Sequence, residues 1–220
     1  MKLKRLVSLI AASAMACGIT TAQQAGSAPA PISEAEVASE AIPPDVLASA
    51  VAAVGKLGDE VVLGHYQVAV QRMNPLWKKR TAQRMGGEEV LEKQLAGVAA
   101  QMAQQGISMI SCKPVGKPIA YEVVPGKKRV KENGVEVDKL VYTKWLVLVP
   151  TMTQFRIFPA GAKRALVIDS TSFQVAVCEK GKNDWTFIDG ANLNAGDLRG
   201  LFSTLPRDME LPPVKKHEVR

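Results

Sequence analysis

Histidine is nearly absent from this 220-residue sequence, with two copies, and cysteine is almost as scarce, with three. Two histidines leave little acid–base machinery near neutral pH. His217 lies close to the carboxy terminus and His65 stands beside Tyr66. The chain also lacks a Gly-rich phosphate loop, an H-E-x-x-H pair, a paired C-x-x-C and a G-x-S-x-G elbow. Neither a metal nor another cofactor is therefore expected. Long apolar runs are missing too. The best of them, Leu6 to Ala16, is about half of the ~20 residues that span a bilayer, so no transmembrane anchor is expected.

That short run has its own meaning. It follows Met1-Lys2-Leu3-Lys4-Arg5, and a basic start joined to a short apolar, small-residue stretch is the order of a Sec-type secretory signal. Ala14-Met15-Ala16 and Thr20-Thr21-Ala22 both offer small residues for cleavage; the reading adopted is a signal peptide over 1–22. Cys17 adds a lipoprotein alternative, the one route to membrane association, although no leucine stands at the third position before it. A periplasmic or secreted protein is the expectation. Cleavage would take Lys2, Lys4 and Arg5 and no acid, lowering the formal charge from +7 to +4. The pI near 9.4 then overstates any affinity for nucleic acid, which is not expected as a partner.

Export would leave Cys112 and Cys178 in an oxidising compartment, where a disulfide between them would clip the strand-rich region; two buried thiols are the alternative. Residues 23–44 contain a small, Pro-containing stretch with no period that buries a face, and read as a flexible or short helical linker. One domain is expected over 45–213, followed by a disordered tail over 214–220.

Within the domain the period changes once. A helix is expected from Asp45 to about Val54, ending near Gly55 and Gly58, and another along Val62, Tyr66, Ala69 and Met73 behind Asp59-Glu60. Asn74-Pro75 starts a helix through Trp77, Thr81 and Met85 that Gly86-Gly87 closes. Glu88-Glu89 open the next, with the stripe Leu91, Leu95, Val98 and Met102. After Gly106 the pattern turns strand-like. Ile107 to Cys112 and Ile119 to Val124 read as a hairpin, and Asn133-Gly134 as a two-residue turn. Leu140 to Met152 is a central strand that Pro150 interrupts or ends; Ala165 to Cys178 is a bent strand and Trp185 to Ile188 the last one. Asn194 caps a short helix carrying Leu198, Leu201 and Phe202. Helices followed by an antiparallel meander make an α+β domain, its amino-terminal helices packed on a curved sheet.

The stretch Asp184-Trp185-Thr186-Phe187-Ile188-Asp189-Gly190, followed by Leu198, Leu201-Phe202, Leu205-Pro206 and Leu211-Pro212, behind a helical front half, resembles exported bacterial proteins of the NTF2-like, cystatin-like cone superfamily over residues 57–213. The resemblance implies a bent sheet wrapped around helices with a tapered cavity. Many members bind small apolar ligands, and the dehydratase and ketosteroid isomerase types place an Asp or His inside. No position here matches those enzyme motifs.

Candidate chemistry is sparse. Asp169 interrupts the apolar run Val167-Ile168-Asp169 and would gain a raised pKa in a cavity, or else bond the hydroxyls of Ser170 to Ser172. His65 would serve as a base or sit at a polar edge. Lys127-Lys128-Arg129-Val130-Lys131 would meet an acidic polymer, a headgroup or a partner's acidic patch, or form a solvated hairpin neutralised by Glu132, Glu136 and Asp138. Two functional classes follow. The first is a non-enzymatic domain that holds a small apolar ligand between Tyr66, Leu95, Tyr142 and Trp145, or docks a periplasmic protein partner. The second is a small cavity enzyme, an isomerase, dehydratase or hydrolase, using Asp169 or His65. Self-association as a homodimer through an exposed apolar sheet face is a third.

Overall fold

A computed structural model describes residues 41–219 except 133, 160 and 163. The segment read as a signal peptide, 1–22, and most of the segment read as a linker, 23–44, lie outside these residues.

Helix α1 (Pro44–Val62) starts with proline at N1 and Asp45 in its first turn, both favourable at a helix start. It runs through Gly55 and Gly58, where the sequence suggested a stop. The reason is tertiary. A Cβ on Gly58 would lie 2.4 Å from the Cys112 carbonyl oxygen, so glycine lets the helix backbone sit directly on the sheet. Gly58→Ala should therefore destabilise the fold by about 1–3 kcal/mol, which urea unfolding would measure; an unchanged midpoint would show that the helix can lift away without loss.

The expected helix along Val62, Tyr66, Ala69 and Met73 is split. Gly64 turns at φ +87°, and α2 (Tyr66–Gln71) is a separate short piece. Next come α3 (Pro75–Met85) and α4 (Glu88–Gln104), bounded as the local signals indicate. The Asn74 side chain accepts from the Leu76 N–H at 3.1 Å, and Gly86 adopts φ +92° at the other end.

Among the described residues, six strands form one open antiparallel sheet: β1 (Ile107–Pro114), β2 (Ile119–Glu132), β3 (Val135–Ile157), β4 (Leu166–Glu179), β5 (Thr186–Asp189) and β6 (Lys215–Val219), with α5 (Ala195–Leu201) between the last two. The long pair β3–β4 is the spine. β2 lies beside the first half of β3 and β1 beside the second half, so the expected β1–β2 hairpin does not form. On the far edge β5 pairs with the end of β4 and β6 with its start. Residues 215–219, read from the sequence as part of a disordered tail, thus complete the sheet. Their side chains are all exposed, so no apolar alternation announced them.

Pro150 does not end its strand. Its carbonyl accepts from the Val115 N–H at 2.8 Å, so its backbone faces the seam where β2 stops and β1 begins. The missing N–H of proline points into that gap and costs no ladder bond.

The sheet is covered on both faces where β2, β3, β4 and β5 lie together. Trp145, Val147, Val149, Ala176, Cys178 and Phe187 pack beneath Ala50, Val54 and Leu57 of α1. Leu146, Leu148, Phe173, Val175 and Ile188 pack on the other side against Leu193, Leu198, Phe202, Leu205 and Met209. Strand alternation assigns the two sets, because neighbours along β3 point to opposite faces.

The proposed Cys112–Cys178 disulfide is not present, and both thiols are free. Cys112 pairs opposite Thr153 and Cys178 opposite Trp145, which sets them roughly 25 Å apart along β3. Burial raises both thiol pKa values, which disfavours the reactive thiolate.

Candidate functional site

The ladder between β3 and β4 stops at Lys144 opposite Glu179, and β4 leaves the sheet through Lys180 and Gly181. β2 and β3 continue without it. Their pairing runs on from Pro125–Tyr142 to Glu132–Val135, a two-stranded ribbon projecting past the end of β4. Gly134 stands at its tip with φ +85°, as a tight hairpin turn requires.

The base of the ribbon is a kink. Val124 has φ +61°, a left-handed conformation that costs a β-branched residue on the order of 1–3 kcal/mol. The Thr143 hydroxyl donates to the Val124 carbonyl at 2.8 Å and holds the bend. Gly126 follows because a Cβ there would approach the Thr143 methyl to 2.5 Å. Backbone strain of this kind persists only where its surroundings fix it, and here it sets the angle at which the ribbon leaves the sheet.

Beside the kink lies a cleft of about 570 Å³, lined by Lys127, Lys128, Val141, Tyr142, Thr143, Lys144, Glu179, Lys180 and Gly181. It occupies the notch left where β4 ends. Four lysines surround it. Between Pro125 and Lys144 the sequence holds six bases and three acids, and of these Arg129 lies 3.8 Å from both Glu136 and Asp138. The Lys180 ammonium pairs with Glu122 and sits 4.4 Å from the centroid of the Trp145 ring. Glu179 is bonded to Lys182 at 2.5 Å, which lowers its carboxyl pKa and keeps it ionised. The three remaining lysines of the cleft, Lys127, Lys128 and Lys144, give it a positive balance.

The residues expected to line an apolar pocket are not gathered in one. Trp145 is sealed under α1 and the Lys180 side chain. Tyr142 is three positions away on β3, so it points to the opposite face, and it lines the cleft instead. Tyr66 and Leu95 are half-buried on α2 and α4, which pack against each other.

Of the two catalytic candidates, His65 is exposed and bonded through Nδ1 to Glu60 at 2.8 Å. Asp169 accepts from the Gln154 amide at 2.9 Å, and docking of β6 brings His217 Nε2 to 3.7 Å from its other oxygen. This pair lies on the sheet, away from Tyr66 and Tyr142. Asp189, whose Oδ1 receives the Ala191 N–H at 3.3 Å, is pushed up in pKa by the protein crowded around it; the residue keeps contact with water, which limits the effect. Among the described residues, no group of three or more His, Cys, Asp or Glu could hold a metal ion, and no helix is long and apolar enough to cross a membrane.

Sequence reading found Lys127 and Lys128 and read Lys180 to Asp184 as a turn, but it gave no site role to Lys144, Thr143, Val124 or the Glu179–Gly181 segment. Those residues join the site only because β4 is shorter than β3 at that end, a difference in strand length that no local pattern encodes. Comparison with known proteins finds no matching family model, no matching curated protein and no matching solved structure.

Proposed function

We propose that this chain is a non-enzymatic interaction domain that captures an acidic segment of a protein partner with its cationic β-ribbon and the cleft at the ribbon's base. The observation that carries this is the cleft itself, where lysines from β2, β3 and the end of β4 converge on a strand edge that β4 leaves uncovered. Charge of one sign around a concave, open surface raises the local concentration of an oppositely charged partner and speeds encounter. With the export signal expected from residues 1–22, the partner would be periplasmic or secreted. The NTF2-like resemblance contributes its non-enzymatic class to this reading. A small apolar ligand held between Tyr66, Leu95 and Trp145 is less favoured, because Trp145 is sealed in the core.

The test is titration of a short fluorescent peptide of alternating threonine and glutamate, read by anisotropy at low and high salt. The unaltered protein should bind it and release it as salt rises. Combining Lys127→Glu, Lys128→Glu and Lys144→Glu should weaken binding roughly a hundredfold, at about 1 kcal/mol for each exposed charge. Binding that ignores both the salt and the three substitutions would remove the electrostatic basis of the proposal.

A further inference from the structure

The edge of β3 next to the cleft has a defined polarity. Thr143 directs its carbonyl toward the β4 side, where it accepts from the Lys180 N–H at 2.9 Å. Residues two apart along a strand direct their backbone groups the same way, so Val141 and Val137 also present N–H and C=O toward that side. β4 has already turned away there, and among the described residues no strand pairs with β3 before Lys144 on this edge. Leu140 and Tyr142 face the other way and are bound into the ladder with Lys127 and Pro125.

We infer that the acidic segment binds by strand addition, lying antiparallel along Val137–Thr143 in the line that β4 abandons at Lys180. This rests on the reading of the cleft as an acidic-segment site and specifies how the segment is held. Three observations support it. The lining of the cleft includes consecutive β3 residues, Val141, Tyr142 and Thr143, whose backbone edge is the natural template for another strand. Lysines flank that edge, so a strand carrying acidic side chains would be favoured over a neutral or basic one; the same lysines discourage two copies of this chain from pairing edge to edge. The kink at Val124, held by Thr143, fixes the ribbon relative to the end of β4 and keeps the notch open. The outer edge of β2 is a poorer template, since the Val124 kink breaks its line and no end of a neighbouring strand makes a step beside it.

The test uses the unaltered protein and two peptides of equal charge: the alternating threonine–glutamate peptide, and the same peptide N-methylated at alternate residues so that the backbone donors on one edge are gone. Strand addition predicts that methylation weakens binding at least tenfold. It also predicts that the unmethylated peptide slows amide exchange at Val137 and Val141 while leaving Leu140 and Tyr142 unchanged. Val141→Pro removes an N–H that no strand among the described residues uses, and should lose the peptide to the same degree while retaining the unfolding midpoint. Equal binding of the two peptides with unaltered exchange at Val137 and Val141 would overturn strand addition and leave electrostatic capture standing. Failure of both peptides to bind would overturn the capture reading and strand addition together.

Discussion

Replacing Phe173 with alanine is expected to cost about 3–5 kcal/mol, a large part of the stability of a domain this size. Phe173 is 1 % exposed and lies where β4 passes from β5 toward β6, with Leu148, Ile188, Leu198 and Phe202 in the cluster around it. Two features prevent the site from collapsing into the space left behind. On one side Gly190 is tied to the Phe173 carbonyl at 2.9 Å, and its backbone already sits against the ring, since a Cβ there would come within 2.7 Å of it. On the other side β4 is locked into its long ladder with β3. A cavity that cannot close keeps its full cost. Chemical unfolding would give the number; a loss below about 1 kcal/mol would mean that the segment after Gly190 can move in to fill the space.

The second large effect is expected at Asp197, which fastens α3 to α5. Its Oδ1 accepts from Arg80 at 3.0 Å and from Arg84 at 2.9 Å, its Oδ2 accepts from the Asn194 amide at 2.7 Å, and its own carbonyl takes a second bond from Arg80 at 3.0 Å. The carboxylate is only 13 % exposed, whereas Arg84 is half in water. Most of the coupling therefore belongs to Arg80, whose guanidinium also lies where a side chain on Gly200 would have to go, with a Cβ there 2.6 Å from Nη1. Asp197→Ala should cost about 2–3 kcal/mol, largely because it leaves a partly buried guanidinium short of an acceptor. A double-mutant cycle with Arg80→Met checks the cause. Arg80→Met should make the loss of Asp197 much milder. If the two losses simply add, the ion pair is not what joins the helices.

Features decided within a few residues were readable in the chain. Asn74-Pro75 and Gly86 bound α3 as expected because an N-cap acceptor, a fixed proline φ and a left-handed glycine act locally. Asn194 accepts from the Asp197 N–H at 2.8 Å for the same reason. The α+β order with a curved, open antiparallel sheet was legible as well, from the change of period at Gly106. The candidate site was only half legible. Lys127 and Lys128 stood out as a basic run, and the turn beyond β4 as a turn, but nothing in either segment revealed that they share a cleft. Asp169 and His217 are a parallel case. Their approach depends on β6 finding the edge of β4, although β6 has no apolar alternation.

The sequence by itself determined where several helices cap and break and which strands are apolar on both sides. It could do so because capping, turn geometry and side-chain period depend on neighbours along the chain. The tertiary structure alone decided that β1 and β2 share β3 instead of each other, that α1 runs through two glycines, and that Cys112 and Cys178 stand far apart. It also decided that the ribbon outruns β4 and leaves a strand edge among lysines. Those outcomes depend on which distant backbone fills each edge and how closely two elements can approach, and both are properties of the packed whole.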